Sequence, residues 1–352
     1  MAVEIANATD LEHYRVSVCV TRKDLTLKDD LHEQVGLLHL DRRRTLDWDK
    51  FSQLSDFCDQ EQVHLLHVHG RFSFLLVTFL SIFYPKIRRI PVVLHDHYGD
   101  VEVDPYLPIS LQAALLIKKP YYVGVHEKLT EIVIKKGIVY GRAKTIHNAI
   151  NFRVYQSEAP ATSAWHASYP GPYGVLVANI RVSKDIQLLL HALAKIKGLP
   201  WTVAIAGDLV DVPYARACQA LHRELGLEGR VLFLGKRLDV STLLRQADFA
   251  LLTSCTESGP LALIEYAAAG LPFVSTRVGS IGQLLASEGL PGFVEPGDVA
   301  GLAQAIQDVL ELSPSQRTER GLRGQAIAAR WFDIREAILD WYQVYETALK
   351  EK

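Results

Sequence analysis

The sequence predicts an α/β protein built from two doubly wound parallel sheets, and three features carry that expectation. Short apolar, β-branched runs alternate with helical stretches along almost the whole chain, the rhythm of parallel sheets with right-handed crossovers. Most of the runs are apolar throughout rather than alternating, as strands covered on both faces are. A stretch rich in Ala, Ser, Pro and Gly with little periodicity, 151–174, divides the rhythm in two.

In the first half, strands are expected at Tyr14–Val20, Val35–Leu40, Val63–His69, Pro91–His97, Tyr121–His126 and Ala143–His147. Helical stretches lie between them, for example at Leu31–Gln34, Ser73–Phe83 and Lys128–Lys136. In the second half the strands are Val175–Ala178, Thr202–Ala206, Arg230–Leu234, Phe249–Thr253, Pro272–Thr276 and Phe293–Glu295. The helices there are Ile186–Ile196, Tyr214–Leu225, Val240–Gln246, Leu261–Ala269, Val299–Leu312 and one long terminal stretch, Pro314–Leu349. Pro260 suits the first position of its helix and Gly270 the C-terminal end. The expected organisation is a Rossmann-like domain over 1–150, a linker over 151–174, a second Rossmann-like domain over 175–330, and a C-terminal helix over 331–352 that crosses back to the first domain. Two such sheets create a cleft at their strand carboxyl ends, where open α/β folds bind ligands.

Composition narrows the function. A length of 352 residues exceeds one ordinary core. With 49% hydrophobic and 22% charged residues, a disordered chain and a coiled coil are excluded. Lys and Arg number 38 against 40 Asp and Glu, a net charge of -2, so no nucleic-acid partner is expected. Cys19, Cys58, Cys218 and Cys255 are widely spaced, which indicates neither a zinc site nor a disulfide framework. The start carries Glu4, Asp10 and Glu12 without an apolar core segment, unlike a signal peptide, and the longest apolar run, Phe72–Pro85, is too short to span a bilayer. A reducing cytoplasm is the expected location. No GxGxxG and no Walker loop is present, which argues against dinucleotide oxidoreductases and P-loop enzymes. Lys86, Arg88, Arg89, Lys118, Lys119, Lys135 and Lys136 make part of the first half locally basic. That is either a solvated face or a surface for anionic lipid or a charged acceptor.

The stretch that carries chemistry runs from Thr253 to Pro272. Behind a strand end, the backbone N–H groups of Gly259, Leu261 and Ala262 open a helix, and such an end favours phosphate. Glu257 stands just before the helix and Glu265 on its second turn. Carboxylates are poor phosphate ligands and good acceptors for hydroxyls, such as those of a sugar and a ribose. The alternative is that Glu257 caps the helix and Glu265 is solvated surface. His67 with His69, and His95 with His97, each share one face of a strand near its carboxyl end. No Asp, Glu or Cys accompanies them at a ligand spacing, so no metal is expected there. His69, His126 and His147 otherwise read as packed strand-end residues.

Glu257 and Glu265 reproduce the EX7E signature of the retaining glycosyltransferases of family 4, which have a GT-B fold, and their surroundings resemble that family. The strand end Phe249–Ser254 leads into the Glu-Ser-Gly-Pro loop and its helix, followed by Gly270-Leu-Pro-Phe-Val-Ser-Thr and Val278-Gly279-Ser280. Gly235-Lys236-Arg237 resembles the family's nucleobase loop, Val177–Asp185 its diphosphate-binding segment, and His147–Asn151 the approach to its hinge. The resemblance implies a metal-independent transferase without cofactor. Its partners would be a nucleotide-diphospho-sugar donor and a glycan, lipid-linked or polysaccharide-precursor acceptor, with possible peripheral contact at the inner face of a membrane. Glu257 would hold hydroxyls of the donor sugar and Glu265 the nucleotide ribose. Lys184 would neutralise the diphosphate, with Arg181 in place of the family arginine, whose usual position holds Asn179. Ser258, Gly259, Leu261 and Ala262 would line the donor, and Lys236 and Arg237 would lie where the base rests. His97 falls at the family's active-site histidine, with His95 as competitor if the register slips by two. Two other classes remain open: a GT-B sugar-nucleotide 2-epimerase, and a non-catalytic nucleotide-binding partner subunit.

One departure stands out. Family members open with an apolar strand and a glycine-rich loop, whereas Met1–Asn7 resembles the later part of the first helix and Tyr14–Val20 the second strand. The strand that is expected to be missing is central in the sheet order. The expectation is therefore either a chain that begins upstream or a rearranged first sheet. A first strand built from 1–13 would refute it.

Overall fold

The computed structural model describes residues 1–23, 25, 28–139, 141–156 and 168–350. The described residues form two compact units, Met1–Ala149 with Ile334–Lys352, and Ile150–Asp333. The central part of the expected linker, 157–167, lies outside the described residues.

The first unit opens with α1 (Ala2–Ala8), β1 (Ser17–Val20), β2 (Gly36–His39), α2 (Trp48–Gln60) and β3 (Leu66–His69). It continues through α3 (Arg71–Phe83), α4 (Pro85–Arg89), β4 (Val92–Asp96), α5 (Ile109–Lys118), β5 (Tyr121–Gly124), α6 (Glu127–Lys135) and β6 (Ala143–Thr145). Strands β3-β4-β5-β6 make one parallel sheet, and β1-β2 a separate parallel pair. Among the described residues no strand joins β1 to β3, and residues 1–13 supply none: α1 buries Ile5 and Ala6 instead. Leu66, Val68 and Leu94 face a core closed by Phe51 of α2, Phe74 and Leu80 of α3 and Leu111 of α5. Val93 and Val123 face the opposite core, with Ile5 and the last helix, α15 (Ile334–Lys350), which buries Ile338 and Trp341 there.

The second unit contains α7 (Arg153–Gln156), β7 (Tyr173–Val177), a 3-10 turn (Val182–Lys184), α8 (Ile186–Lys195), β8 (Thr202–Ala206), α9 (Val212–Glu224), β9 (Val231–Gly235) and α10 (Val240–Arg245). Then come β10 (Phe249–Leu252), α11 (Leu261–Ala268), β11 (Phe273–Thr276), α12 (Gly279–Ser287), β12 (Phe293–Val294), α13 (Val299–Glu311) and α14 (Pro314–Phe332). Its six strands are all parallel, in the order β12-β11-β10-β7-β8-β9. That is the doubly wound order, and its direction reverses between β7 and β10. Ile186, Leu189 and Leu193 of α8 and Ile306 of α13 cover one face. Leu263, Ile264 and Ala267 of α11, with Ile281 of α12 and Phe332 of α14, cover the other.

Three expectations need correction. Leu31–Gln34 is not a helix: among the described residues the helical turn there is a 3-10 turn at Lys28–Asp30, and four residues are too few to pay for helix nucleation without a packed face. The terminal stretch Pro314–Leu349 is two helices, because Asp333 is extended (φ -75°, ψ 124°) and pairs with Ile150, where the Ile150 N–H donates to the Phe332 carbonyl at 3.0 Å. Periodicity continues across that residue, so the sequence did not show the break. The basic stretch is not uniformly solvated either. The Lys118 ammonium donates to the carbonyls of Ile87, Arg88 and Ile90 at 2.9 Å each, and its burial pulls its pKa down to about 8.

Candidate active site

Strands β7 and β10 pair directly, Gly174 with Phe249 and Val175 with Ala250, so the segments that follow them emerge side by side at the switch point. After β7 the chain makes the 3-10 turn that carries Lys184. Asp185 ends it in the left-handed region (φ 42°), where its carboxylate accepts from the Leu188 N–H at 3.2 Å and caps α8. After β10, the loop is stitched to this turn. The Thr253 hydroxyl donates to the Lys184 carbonyl at 2.8 Å, and the Cys255 N–H to the Ser183 carbonyl at 2.9 Å.

The result brings Lys184 and Glu257, 73 residues apart in sequence, into a direct ion pair through Glu257 Oε1. The same oxygen accepts from the Ser254 hydroxyl at 2.8 Å. Both side chains are largely buried, with 16% and 12% of their surface exposed. Glu257 is therefore not the cap of α11. It is a carboxylate held in place by a cation and a hydroxyl, close to the start of that helix.

Pro260 sits one position earlier than expected, at the N-cap with extended backbone, so Leu261 and Ala262 supply the first N–H groups of α11. The helix ends as its sequence requires. Gly270 has φ +68°, its N–H donates to the Ala267 carbonyl at 2.9 Å, and the Leu271 N–H donates to the Tyr266 carbonyl at 3.1 Å, a Schellman motif. The buried carbonyl side of Ser258 accepts from the Ser280 N–H at 2.9 Å and from its hydroxyl at 3.2 Å. Gly279 makes this approach possible: it has φ +69°, and a Cβ there would stand 2.9 Å from Pro260 Cδ and 3.0 Å from the Ser258 carbonyl oxygen. The Val278-Gly279-Ser280 element thus clamps the loop before α11 from behind.

Glu265 is half-buried on α11, one residue before Tyr266. The Tyr266 hydroxyl bridges the switch point, accepting from the Val177 N–H at 2.8 Å and donating to the Leu251 carbonyl at 3.0 Å. Burial, with both glutamates adding to it, pushes that phenol well above its usual pKa, so it stays a neutral strut. Arg181 is exposed at the start of the 3-10 turn, and Asn179 accepts from the Asp208 N–H at 3.0 Å. Lys236 is exposed after β9, whereas Arg237 is held by Asp239 through two bonds of 2.8 and 2.6 Å, which raises its pKa further.

His97 belongs to the first unit. It follows β4 and its Nε2 lies 3.2 Å from His69 Nδ1. Beside it the fully buried Asp96 takes the Arg71 guanidinium at 2.8 Å and the Tyr122 hydroxyl at 2.7 Å, a network that sets the end of β4. Sequence reasoning missed Asp96, Arg71, Ser254 and Tyr266. Polar residues directly at strand carboxyl ends were the available signal for Asp96 and Ser254.

Residues 171–312 match the family described as glycosyl transferases group 1. The chain is 29% identical over 268 residues to N-acetyl-alpha-D-glucosaminyl L-malate synthase of Bacillus anthracis, covering 73% of this chain and 68% of that protein. It is 25% identical over 253 residues to D-inositol 3-phosphate glycosyltransferase of Mycobacterium tuberculosis, covering 70% of this chain. The chain spans about half, 52%, of that protein's length. In fold it is similar to Anabaena HepE in complex with UDP and glucose, with a TM-score of 0.79 at 20% identity over 98% of this chain and 95% of that one. A glycosyltransferase from Rickettsia africae gives 0.79 at 15% identity over 99% and 94%. The match spans the strands, the 3-10 turn and the helix that hold Lys184, Glu257 and Glu265, so this part of the chain is similar to the glycosyl transferases group 1, and the fold is GT-B.

Proposed function

We propose that the chain is a retaining transferase that moves a sugar from a nucleotide-diphospho-sugar to a hydroxyl of a glycan, lipid or polysaccharide-precursor acceptor. The observation that carries this reading is the Lys184–Glu257 pair at the switch point, next to the start of α11. As the sugar–phosphate bond breaks, negative charge grows on the diphosphate. The Lys184 ammonium has three N–H donors, of which Glu257 uses one, so two remain for phosphate oxygens, and the α11 amides add to them. Glu257, held from behind by Lys184 and Ser254, accepts from sugar hydroxyls. Glu265 accepts from the ribose. The acceptor proton leaves with the diphosphate on the same face as the attack.

The donor is tested by a thermal-shift panel of uridine, guanosine and adenosine diphospho-sugars. The UDP complexes of HepE favour the uridine arm. Acceptor-dependent transfer of labelled sugar then separates a transferase from an epimerase, which converts donor alone, and from a partner subunit, which turns over only when its partner is added. The acceptor panel should contain L-malate and inositol phosphates, which the names of the two relatives mention. Glu265→Gln replaces a charge-assisted bond to the ribose by a neutral one and lowers nucleoside diphosphate affinity by about 10-fold. Isothermal titration with UDP checks this, and parent-like affinity would remove Glu265 from the site.

Transfer needs no magnesium or manganese in this reading, because Lys184 and the helix carry the charge at the diphosphate. Adding either ion to chelator-treated protein leaves turnover unchanged, and a rise in rate would overturn the assignment. No helix among the described residues is long and apolar enough to cross a membrane. A cytoplasmic protein that docks on an anionic membrane is supported by Phe72, Ile109 and Ile117, exposed on α3 and α5, and by the exposed Arg89 and Lys119 at the ends of α4 and α5. Co-sedimentation with phosphatidylglycerol vesicles reads it directly.

A further inference from the structure

Outside the donor site, the densest cluster of ligating groups lies at the carboxyl ends of β3 and β4. The β3–β4 register sets His69 beside His95, and the period of two places His67 and His97 on the same face. The four rings lie against one another, with centroids 4.4 Å apart for His67–His69, 5.0 Å for His69–His95 and 4.0 Å for His95–His97. His67 Nε2 is 3.3 Å from His95 Nδ1. One ring nitrogen from each of His67, His69 and His95 falls within 4.8 Å of the others.

We propose that His67, His69 and His95 bind one divalent transition-metal ion of the zinc, cobalt, nickel or copper class. Metal–nitrogen bonds of about 2.0–2.1 Å in a tetrahedral site put ligand nitrogens roughly 3.3–3.4 Å apart, so the His67–His95 separation already matches and His69 needs only a small ring movement. The remaining ring positions are arranged as metal-bound histidines require. The Tyr345 hydroxyl lies 2.8 Å from His67 Nδ1, and His97 Nε2 lies 3.2 Å from His69 Nδ1, which leaves Nε2 of both rings to face the metal. The ligand atom of His95 is then Nδ1, the nitrogen 3.3 Å from His67 Nε2. An all-imidazole set selects borderline metals over magnesium and calcium, which take oxygen. The site belongs to the first unit and is independent of the donor chemistry on Lys184. The ion staples the ends of β3 and β4, the latter leading directly into His97.

The test uses the full chain without an affinity tag, stripped with chelator and dialysed. Titration with cobalt is expected to give one ion per chain with a Kd of about 1 μM or tighter, the visible absorption of a four-coordinate nitrogen site, and, with zinc, a raised unfolding midpoint. Magnesium should do none of this. His69→Gln and His67→Gln should each weaken binding by at least about 10-fold while keeping the parent circular dichroism, and Tyr345→Phe should weaken it less. His191→Gln, on α8 in the second unit, should bind as the parent does. Should a histidine variant fail to fold, the unsubstituted protein still decides the matter. Trp341 lies 4.5 Å from both His67 and His95, so copper should quench its fluorescence at one equivalent, and Trp341→Phe should abolish that quenching. Absence of saturable cobalt binding, or parent-like affinity in His69→Gln, would overturn the proposal and leave the cluster as imidazoles bonded to one another.

Discussion

Replacing Lys184 by methionine is expected to lower kcat by about 10²–10³-fold, because one preorganised charge at a developing anion contributes about 2.7–4 kcal/mol to the transition state. The same change acts on stability. Methionine keeps the length and removes the cation, leaving Glu257 largely buried with only Ser254 as its partner. Breaking a fully buried pair costs about 3–5 kcal/mol, and the residual exposure of both side chains reduces that to roughly 1–3 kcal/mol here. Kinetics and thermal unfolding measured on Lys184→Met, Glu257→Gln and the double variant separate the two effects. In the double variant the neutral amide no longer requires a cation, so stability returns toward the parent while turnover stays low. A double variant as unstable as Lys184→Met would mean that the pair does not couple, and parent-like turnover in Lys184→Met would remove Lys184 from the chemistry.

Glu257→Gln alone is expected to reduce turnover by about 10–100-fold with the fold and UDP affinity retained. The amide oxygen can still accept from Ser254 and Lys184, so the local geometry persists. What is lost is the charge of the acceptor toward sugar hydroxyls, a difference of about 1.5–3 kcal/mol for a charge-assisted bond. Glu265→Gln provides the contrast, since its loss falls on nucleotide binding. A Glu257→Gln variant with parent-like kcat would show that the carboxylate does not touch the reacting sugar, and one that lost UDP affinity instead would exchange the roles of the two glutamates.

The copy of the doubly wound sheet in the second unit was readable almost residue by residue. Thr202–Ala206 is the strand that the sequence predicts, and β10 starts at the expected Phe249. Continuous apolar runs between helices have few other stable arrangements, and Gly270 marks the end of α11 because only glycine adopts φ > 0 there without strain. Glu257, Glu265 and Lys184 stood out in the sequence by their fixed offsets from strand ends, and the structure pairs Lys184 with Glu257. In the first unit the same reading located the strands found among the described residues, and the segment 1–13 contains the helix Ala2–Ala8.

Local pattern alone thus determined which segments are strands, where α11 begins and which residues stand at its start, because burial period and capping chemistry act over a few residues. Only the tertiary structure decided what meets across long intervals. The strand order sets β7 against β10, and from that follow the Lys184–Glu257 pair and the choice between a capping glutamate and a salt-bridged one. The register of β3 on β4 gathers four histidines that appear in the sequence as two separate pairs, and the Ile150–Asp333 bridge divides what periodicity presents as a single helix. Each of these depends on contacts between residues far apart in the chain, whose free energy comes from packing one element on another and leaves no trace in the spacing of either.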